Sequence, residues 1–244
     1  MAPRVLTFVV VYNEIGAFPR VLAELAAEPR AYDEVLLVNN GSTDGSAEII
    51  RASGFPHLDF AENRGVGASY IAAIDWALAH GFDILVTMAG NGKMLPAEMA
   101  RLVDPVRAGE VDYVTGSRFL DGGASPNLPE FRRRAIPAVN HFVRALTGAR
   151  LTDATCGYRA WRLDIIRRAR FDWHADWLHT YAFEYYLYAK VIRAGFRWRE
   201  VPVTMRYPAR GRPYSKIRGA RDWYAMLKPW VVARVDGKGF AGAA

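Results

Sequence analysis

The sequence predicts an α/β fold, a mainly parallel sheet flanked by helices on both faces. Three observations predict it. Short apolar runs alternate with helical spacings about four times within the first 116 residues, the pattern of a sheet covered on both sides. The first run, Val5 to Val11, is apolar and rich in β-branched residues, as in a strand buried on both faces. A polar loop follows each run, where open α/β sheets bind their ligands.

The first strand is read at Val5 to Val11. Gly16 to Glu28 carries Phe18, Val21, Leu22 and Leu25 at helical spacing. Glu34 to Val38 is a second buried strand, and Ser42 or Thr43 is expected to cap a helix running through Ile50. A short third strand at Leu58 to Phe60 precedes a helix from Gly65 to His80, ended by Gly81. Ile84 to Met88 is the fourth strand, Pro96 opens a helix to Ala108, and Val111 to Thr115 is the fifth strand. Beyond it come a loop at 121–130, a basic helix from Phe131 to Thr147 and a strand from Gly157 to Trp161. An aromatic helix from His179 to Ala194, a strand from Phe196 to Met205 and an amphipathic tail helix from Arg218 to Val232 complete the chain.

The 244 residues carry 32 basic and 25 acidic side chains, a net charge of +7. Such a surface attracts phosphate-bearing partners. The basic residues are dispersed and no nucleic-acid recognition motif accompanies them, so no nucleic-acid partner is expected. No Gly-x-Gly-x-x-Gly follows the first strand, which argues against a dehydrogenase. No run reaches the ~18 apolar residues of a membrane span. The single cysteine, Cys156, cannot make an internal disulfide, so a cytoplasmic location is expected.

The five loops at the strand ends are Tyr12-Asn13-Glu14, Asn39 to Asp44, Asn63-Arg64-Gly65, Ala89 to Lys93 and Gly116-Ser117-Arg118. All five would line one rim of the sheet. The glycines let a backbone approach a ligand closely, the asparagine amides can read a base edge, and Arg64, Lys93 and Arg118 can meet phosphates.

Those loops, with Asn39-Asn40-Gly41-Ser42-Thr43-Asp44-Gly45 and Gly116-Ser117-Arg118-Phe119, resemble the family 2 glycosyltransferases. The dolichol-phosphate mannosyltransferase type is the most similar branch. Asp153 to Ala160, Glu184, Gly195, Glu200-Val201-Pro202, Arg206 and Ser215-Lys216 resemble its second half in order. The resemblance implies the GT-A (Rossmann-like) fold over residues 1–218, with a nucleotide part at 1–118 and an acceptor part at 119–218. Residues 219–244 would form an amphipathic helix and tail. It implies an inverting enzyme that takes a sugar from a UDP- or GDP-sugar. Tyr12, Asn13 and Glu14 would touch base and ribose, and Asn40 stands where an aspartate usually contacts the base. Ser42, Arg64, Gly65, Ala89, Gly90 and Asn91 would complete the donor site. Arg206, Ser215 and Lys216 would meet the diphosphate or an acceptor phosphate.

The family's Asp-x-Asp metal motif is replaced here by Ala89-Gly90-Asn91, with Lys93 two residues on. Divalent ions want hard anionic oxygens. Lys93 is therefore expected to neutralise the leaving diphosphate in place of a metal, assisted by Arg118, and no cofactor is required. Magnesium or manganese would bind only if Asn91 and the diphosphate sufficed. The alternative is a catalytically silent nucleotide-sugar binding protein. Asp153 is the candidate base, and Glu184 is read as a structural partner of Arg159 or Arg162. The aromatics between Trp173 and Tyr188 could serve as core or as an acceptor wall.

The resemblance points to a polyprenyl phosphate acceptor, with a soluble nucleoside or natural-product hydroxyl as the alternative. Arg132, Arg133, Arg134 and the tail could rest on the inner face of a membrane. The tail could equally pack on the domain.

Overall fold

The computed structural model describes residues 2–27, 30–169, 171–208 and 219–236. Its centre is a seven-stranded sheet of order β3-β2-β1-β4-β6-β5-β7. The strands are β1 Val5–Val11, β2 Glu34–Asn40, β3 His57–Phe60, β4 Ile84–Ala89, β5 Tyr113–Ser117, β6 Arg159–Arg162 and β7 Trp198–Pro202. All neighbours run parallel except β6, which is antiparallel to both β4 and β5. The sheet therefore matches the expected mainly parallel α/β class.

Period-two alternation divides two cores. Val5, Val9, Val35, Leu37, Ile84 and Val86 face one side. They pack there with α1 (Phe18–Ala26), α2 (Ser46–Ala52) and α4 (Met99–Arg107). Leu6, Phe8, Leu36, Val38 and Leu85 face the other. That side carries α3 (Val66–Ala79), α5 (Glu130–Thr147), α6 (Asp164–Arg168), α7 (Ala182–Arg193) and α8 (Gly219–Val235).

Several expected elements shift. The helix expected from Pro96 begins as a 3-10 turn at Pro96–Glu98 before α4. The aromatic helix starts at Ala182, after a separate 3-10 turn at Asp176–Leu178. The last strand is shorter than expected, and beyond it the described residues form isolated bridges, Met94 with Met205 and Ala124 with Thr204. Neither Ser42 nor Thr43 caps α2, which begins at Ser46 after Gly45 at φ 91°. Asp44, one residue before the glycine cap, accepts the Ser46 N–H at 3.0 Å, and the Ser42 hydroxyl accepts the Asn13 N–H of the preceding loop.

The aromatic run is mostly core: Phe183, Tyr185, Tyr186 and Tyr188 are buried. The tail helix α8 packs on α7 and buries Met226, Trp230 and Ala233. Burial of Met226 and Trp230 contributes about 1.5–3 kcal/mol each.

Candidate active site

The carboxyl ends of β1, β2 and β4, with the loops after β3 and β5, open on one cleft of ≈ 430 Å³. Tyr12, Glu14, Asn40, Gly65, Ala89, Asn91, Lys93 and Arg118 all line it. The five polar loops thus converge, as their positions after the strands require.

The donor end is stitched by short neutral groups. Asn13 stands at φ 53°, a conformation asparagine tolerates better than most residues. Its N–H donates to Ser42 Oγ at 3.1 Å, and its Oδ1 accepts the Thr43 N–H at 2.7 Å. Asn13 and Ser42 therefore hold the first two loops together without lining the cleft. Asn40 Oδ1 accepts the Arg64 N–H at 3.0 Å. The Arg64 guanidinium lies over the Phe60 ring, outside the cleft lining. Gly65 has φ 88°, and a Cβ there would come within 2.3 Å of the His179 carbonyl, so only glycine lets the third loop pass.

The fourth loop is folded on itself. Gly90 donates to the Val10 carbonyl at 2.8 Å, behind the cleft surface. Asn91 Oδ1 accepts the Lys93 N–H at 3.1 Å. The Lys93 carbonyl accepts the Arg206 N–H at 2.8 Å, and its ammonium lies 5.6 Å from the Tyr207 ring centre. Ala89 has no ligating atom, the Asn91 oxygen is engaged, and a cation shares the wall. This donor set does not fit a divalent ion. Among the described residues no group of three or more His, Cys, Asp or Glu could hold one.

The far wall is built on a buried ion pair. Arg118 Nε and Nη2 donate to the two Asp153 oxygens at 2.6 Å each, with side chains 1% and 0% exposed. Burial opposes the Arg118 charge, but the Asp153 carboxylate more than offsets it and raises its pKa. Arg118 Nη1 donates to the Tyr207 hydroxyl. Burial raises the Tyr207 pKa despite that guanidinium. Asp153 also accepts from Thr155. It sits behind the wall rather than in it, which differs from its expected role as base: its oxygens face Arg118, not the cleft. Glu200, the glutamate of the Glu-Val-Pro segment, takes the Thr152 and Asp153 N–H groups at 2.8 and 2.9 Å. Burial raises its pKa against those hydrogen bonds.

Arg206 also differs from expectation. Its guanidinium pairs with Glu24 on α1 at 2.7 Å and is absent from the cleft lining. Ser215 and Lys216 lie outside the described residues. Glu184 accepts the Tyr70 hydroxyl at 2.9 Å, and Arg159 donates to its backbone carbonyl, not its carboxylate. The Cys156 thiol is pushed up to about 12 by burial and by Asp153, so it is no nucleophile.

The cleft also contains Asn63, from the third of the expected loops, and Tyr181, from the aromatic run weighed as an acceptor wall, together with Arg132, Thr155, Tyr207, Arg221 and Asp222, which were not expected in the donor or acceptor site. Burial and neighbouring Asp222 push the Tyr181 phenol up to about 12. Arg132 and Tyr181 carried a weak signal, a basic run and an aromatic run. Arg221 and Asp222 carried none, because the docking of α8 on α7 brings them in.

Residues 7–170 match the family described as Glycosyl transferase family 2. The chain belongs to this family. Among its relatives, the undecaprenyl-phosphate mannosyltransferase of Micrococcus luteus is 36% identical over 207 residues, 82% of this chain and 83% of that one. The polyprenol monophosphomannose synthase of Mycolicibacterium smegmatis is 32% identical over 232 residues, 92% and 85% of the two chains. In shape this chain is similar to glucosyl-3-phosphoglycerate synthase of Mycobacterium tuberculosis, solved with Mn²⁺, UDP and phosphoglyceric acid. That likeness has a TM-score of 0.67, 16% identity and coverage of 99% and 80%. Mannosyl-3-phosphoglycerate synthase of Rubrobacter xylanophilus gives a TM-score of 0.65 at 18% identity, over 95% and 72%. These structures share the GT-A fold. The protein is thus a family 2 glycosyltransferase, an inverting enzyme using a nucleotide-diphosphate sugar. Among its described residues no helix is long and apolar enough to cross a membrane.

Proposed function

We propose that this glycosyltransferase moves a hexose from a nucleotide-diphosphate sugar to a polyprenyl phosphate, with Lys93 in the place of a divalent ion. The observation that carries the reading is the convergence of Tyr12, Asn40 and Lys93 on one cleft whose far wall holds Arg118 and Arg132. Tyr12, Glu14, Asn40 and Gly65 would border the nucleoside, with Asn13, Ser42, Arg64 and Gly90 shaping their loops. Ala89 and Asn91 would border the donor sugar and diphosphate. Charge grows on the diphosphate as the glycosidic bond breaks, and a fixed ammonium there lowers the barrier. The acceptor phosphate is ionised at pH 7 and needs no strong base. Arg118 and Arg132 would aim it, and Asp153 would act by orienting Arg118. The nucleotide part would span 1–118 and the acceptor part 119–218, with α8 adding Arg221 and Asp222 to the far wall.

The relatives' lipid acceptors favour this choice. So does Phe131, 61% exposed next to the Arg132–Arg134 run and packed edge-on against Trp223 of α8, a surface suited to peripheral contact with an anionic membrane. A soluble hydroxyl acceptor is the second reading, because Asp222 supplies a cleft carboxylate that could serve as its base.

Transfer of radiolabelled sugar to a short polyprenyl phosphate, with EDTA or with Mg²⁺, tests the proposal. Turnover should persist in EDTA. Loss in chelator restored by Mg²⁺ would reject the lysine role, and transfer only to soluble alcohols would reject the lipid acceptor.

A further inference from the structure

A lysine that replaces a metal ion needs something to aim it. A metal is fixed by its ligands, whereas an ammonium sits on a flexible four-carbon stem. The Lys93 ammonium lies over the Tyr207 ring, 5.6 Å from its centre, close enough for the negative ring face to attract a cation. The backbones run together at the same point, where the N–H of the preceding residue, Arg206, donates to the Lys93 carbonyl at 2.8 Å. Tyr207 is itself held on several sides. It is 6% exposed and shares its buried apolar cluster with Met94, Leu128, Val203 and Met205. Its N–H donates to the Pro126 carbonyl at 3.1 Å, and its carbonyl accepts from Asn127 Nδ2 at 3.2 Å. Its hydroxyl accepts from Arg118 Nη1, and the other two nitrogens of Arg118 are fixed on Asp153.

We infer that Tyr207 is a positioning residue for the transfer: its ring face holds the Lys93 ammonium toward the diphosphate, and the Arg118–Asp153 pair holds the ring. The inference rests on the role proposed for Lys93 and adds what aims it. A charge already in place when the glycosidic bond breaks stabilises the leaving group more than one that must still be ordered. A carboxylate could also hold the ammonium, but it would cancel the charge to be delivered. A ring face attracts the cation and leaves its whole charge for the phosphates. Lys93, Tyr207 and Arg118 all line the cleft, so the chain of contacts from Asp153 to Lys93 runs along its wall.

Calorimetric titration of the full chain with UDP and GDP tests it, because both carry the diphosphate that Lys93 is to meet. Tyr207→Phe keeps the ring face and loses the Arg118 anchor, so it should weaken binding least. Pentafluorophenylalanine placed at Tyr207 keeps the ring shape but reverses the charge of its face, and should bind the tighter nucleotide about three- to thirtyfold more weakly than Tyr207→Phe. On a Lys93→Met background the two ring variants should bind alike, which a merely structural role for the ring would not produce. Equal affinity of the two ring variants with Lys93 present overturns the inference, and so does a difference that persists without Lys93. Lys93→Met that binds as tightly as the unaltered chain overturns the role of Lys93 itself, and failure of the unaltered chain to bind either nucleotide overturns the donor site. If the fluorinated chain fails to fold, Tyr207→Leu takes its place in the same comparison.

Discussion

The two walls of the cleft are held by different interactions. The donor wall is a lattice of neutral hydrogen bonds: Asn13 with Ser42 and Thr43, Asn40 with Arg64, and Asn63 with Gly65. The far wall hangs on one ion pair, Arg118 with Asp153, excluded from solvent. A neutral lattice spreads its stabilisation over bonds worth about 1 kcal/mol net each. A buried pair concentrates it, because removing one charge strands the other. The donor wall should fail gradually and the far wall abruptly.

The largest expected effect is therefore at Asp153. Asp153→Ala leaves the Arg118 guanidinium buried and unpaired, and should cost about 3–5 kcal/mol. For a chain of this size that lowers Tm by about 6–20 °C, read by scanning calorimetry. A loss below about 1 kcal/mol would put the pair in the range of exposed ones and erase the contrast between the walls.

Lys93 lies where the walls meet, beside Tyr207, which Arg118 also contacts. It is half-buried on the rim, so its weight should fall on turnover rather than on stability. Lys93→Met should lower kcat by about 10²–10³, the range for removing one preorganised donor at a developing charge. Tm should change little. A variant that keeps its kcat would assign charge neutralisation to the arginines of the far wall alone.

The contrast also explains what could be seen in the chain before folding. Each donor loop directly follows its strand, so Tyr12, Asn40 and Lys93 could be placed on one rim from strand periodicity alone. The far wall joins residues 35 and 89 positions apart, Arg118 with Asp153 and with Tyr207, and no local spacing reports such a pairing. Asp153 was visible as a motif residue, but its engagement by Arg118 was not. The antiparallel direction of β6 was hidden for a related reason. Four residues, Arg159–Arg162, show a strand period but not which way it enters the sheet. Arg221 and Asp222 reach the cleft only because Trp230 and Met226 bury against α7, an event of tertiary packing.

On the donor wall the effects should be smaller and separable. Asn13→Ala loses the Thr43 hydrogen bond and forces alanine to φ 53°, which together should cost about 1–3 kcal/mol. Asn13→Gly keeps the backbone conformation and loses only the bond, so it should cost less. Both should raise KM for the donor more than they change kcat. If the two variants melt together, the hydrogen bond rather than the left-handed backbone holds the loop.

The smallest effect sharpens the comparison by repeating its chemistry in water. Asp112, just before β5, accepts from Arg197 Nη2 at 2.9 Å and from its backbone N–H at 3.0 Å. Here the arginine side chain is 57% exposed, against 1% for Arg118. Burial alone would raise the Asp112 pKa, but the Arg197 hydrogen bonds and charge win and hold it below 3.8. The folded chain therefore binds this proton less readily than the unfolded one. The contribution is present above the unfolded pKa and is lost as pH falls through the folded value. Asp112→Asn should melt slightly below the unaltered chain at pH 7, and the gap should close as the pH is lowered from 5 toward 3. A gap that stays constant across that window would mean that the Asp112 charge contributes nothing, leaving the hydrogen-bond geometry as its whole role.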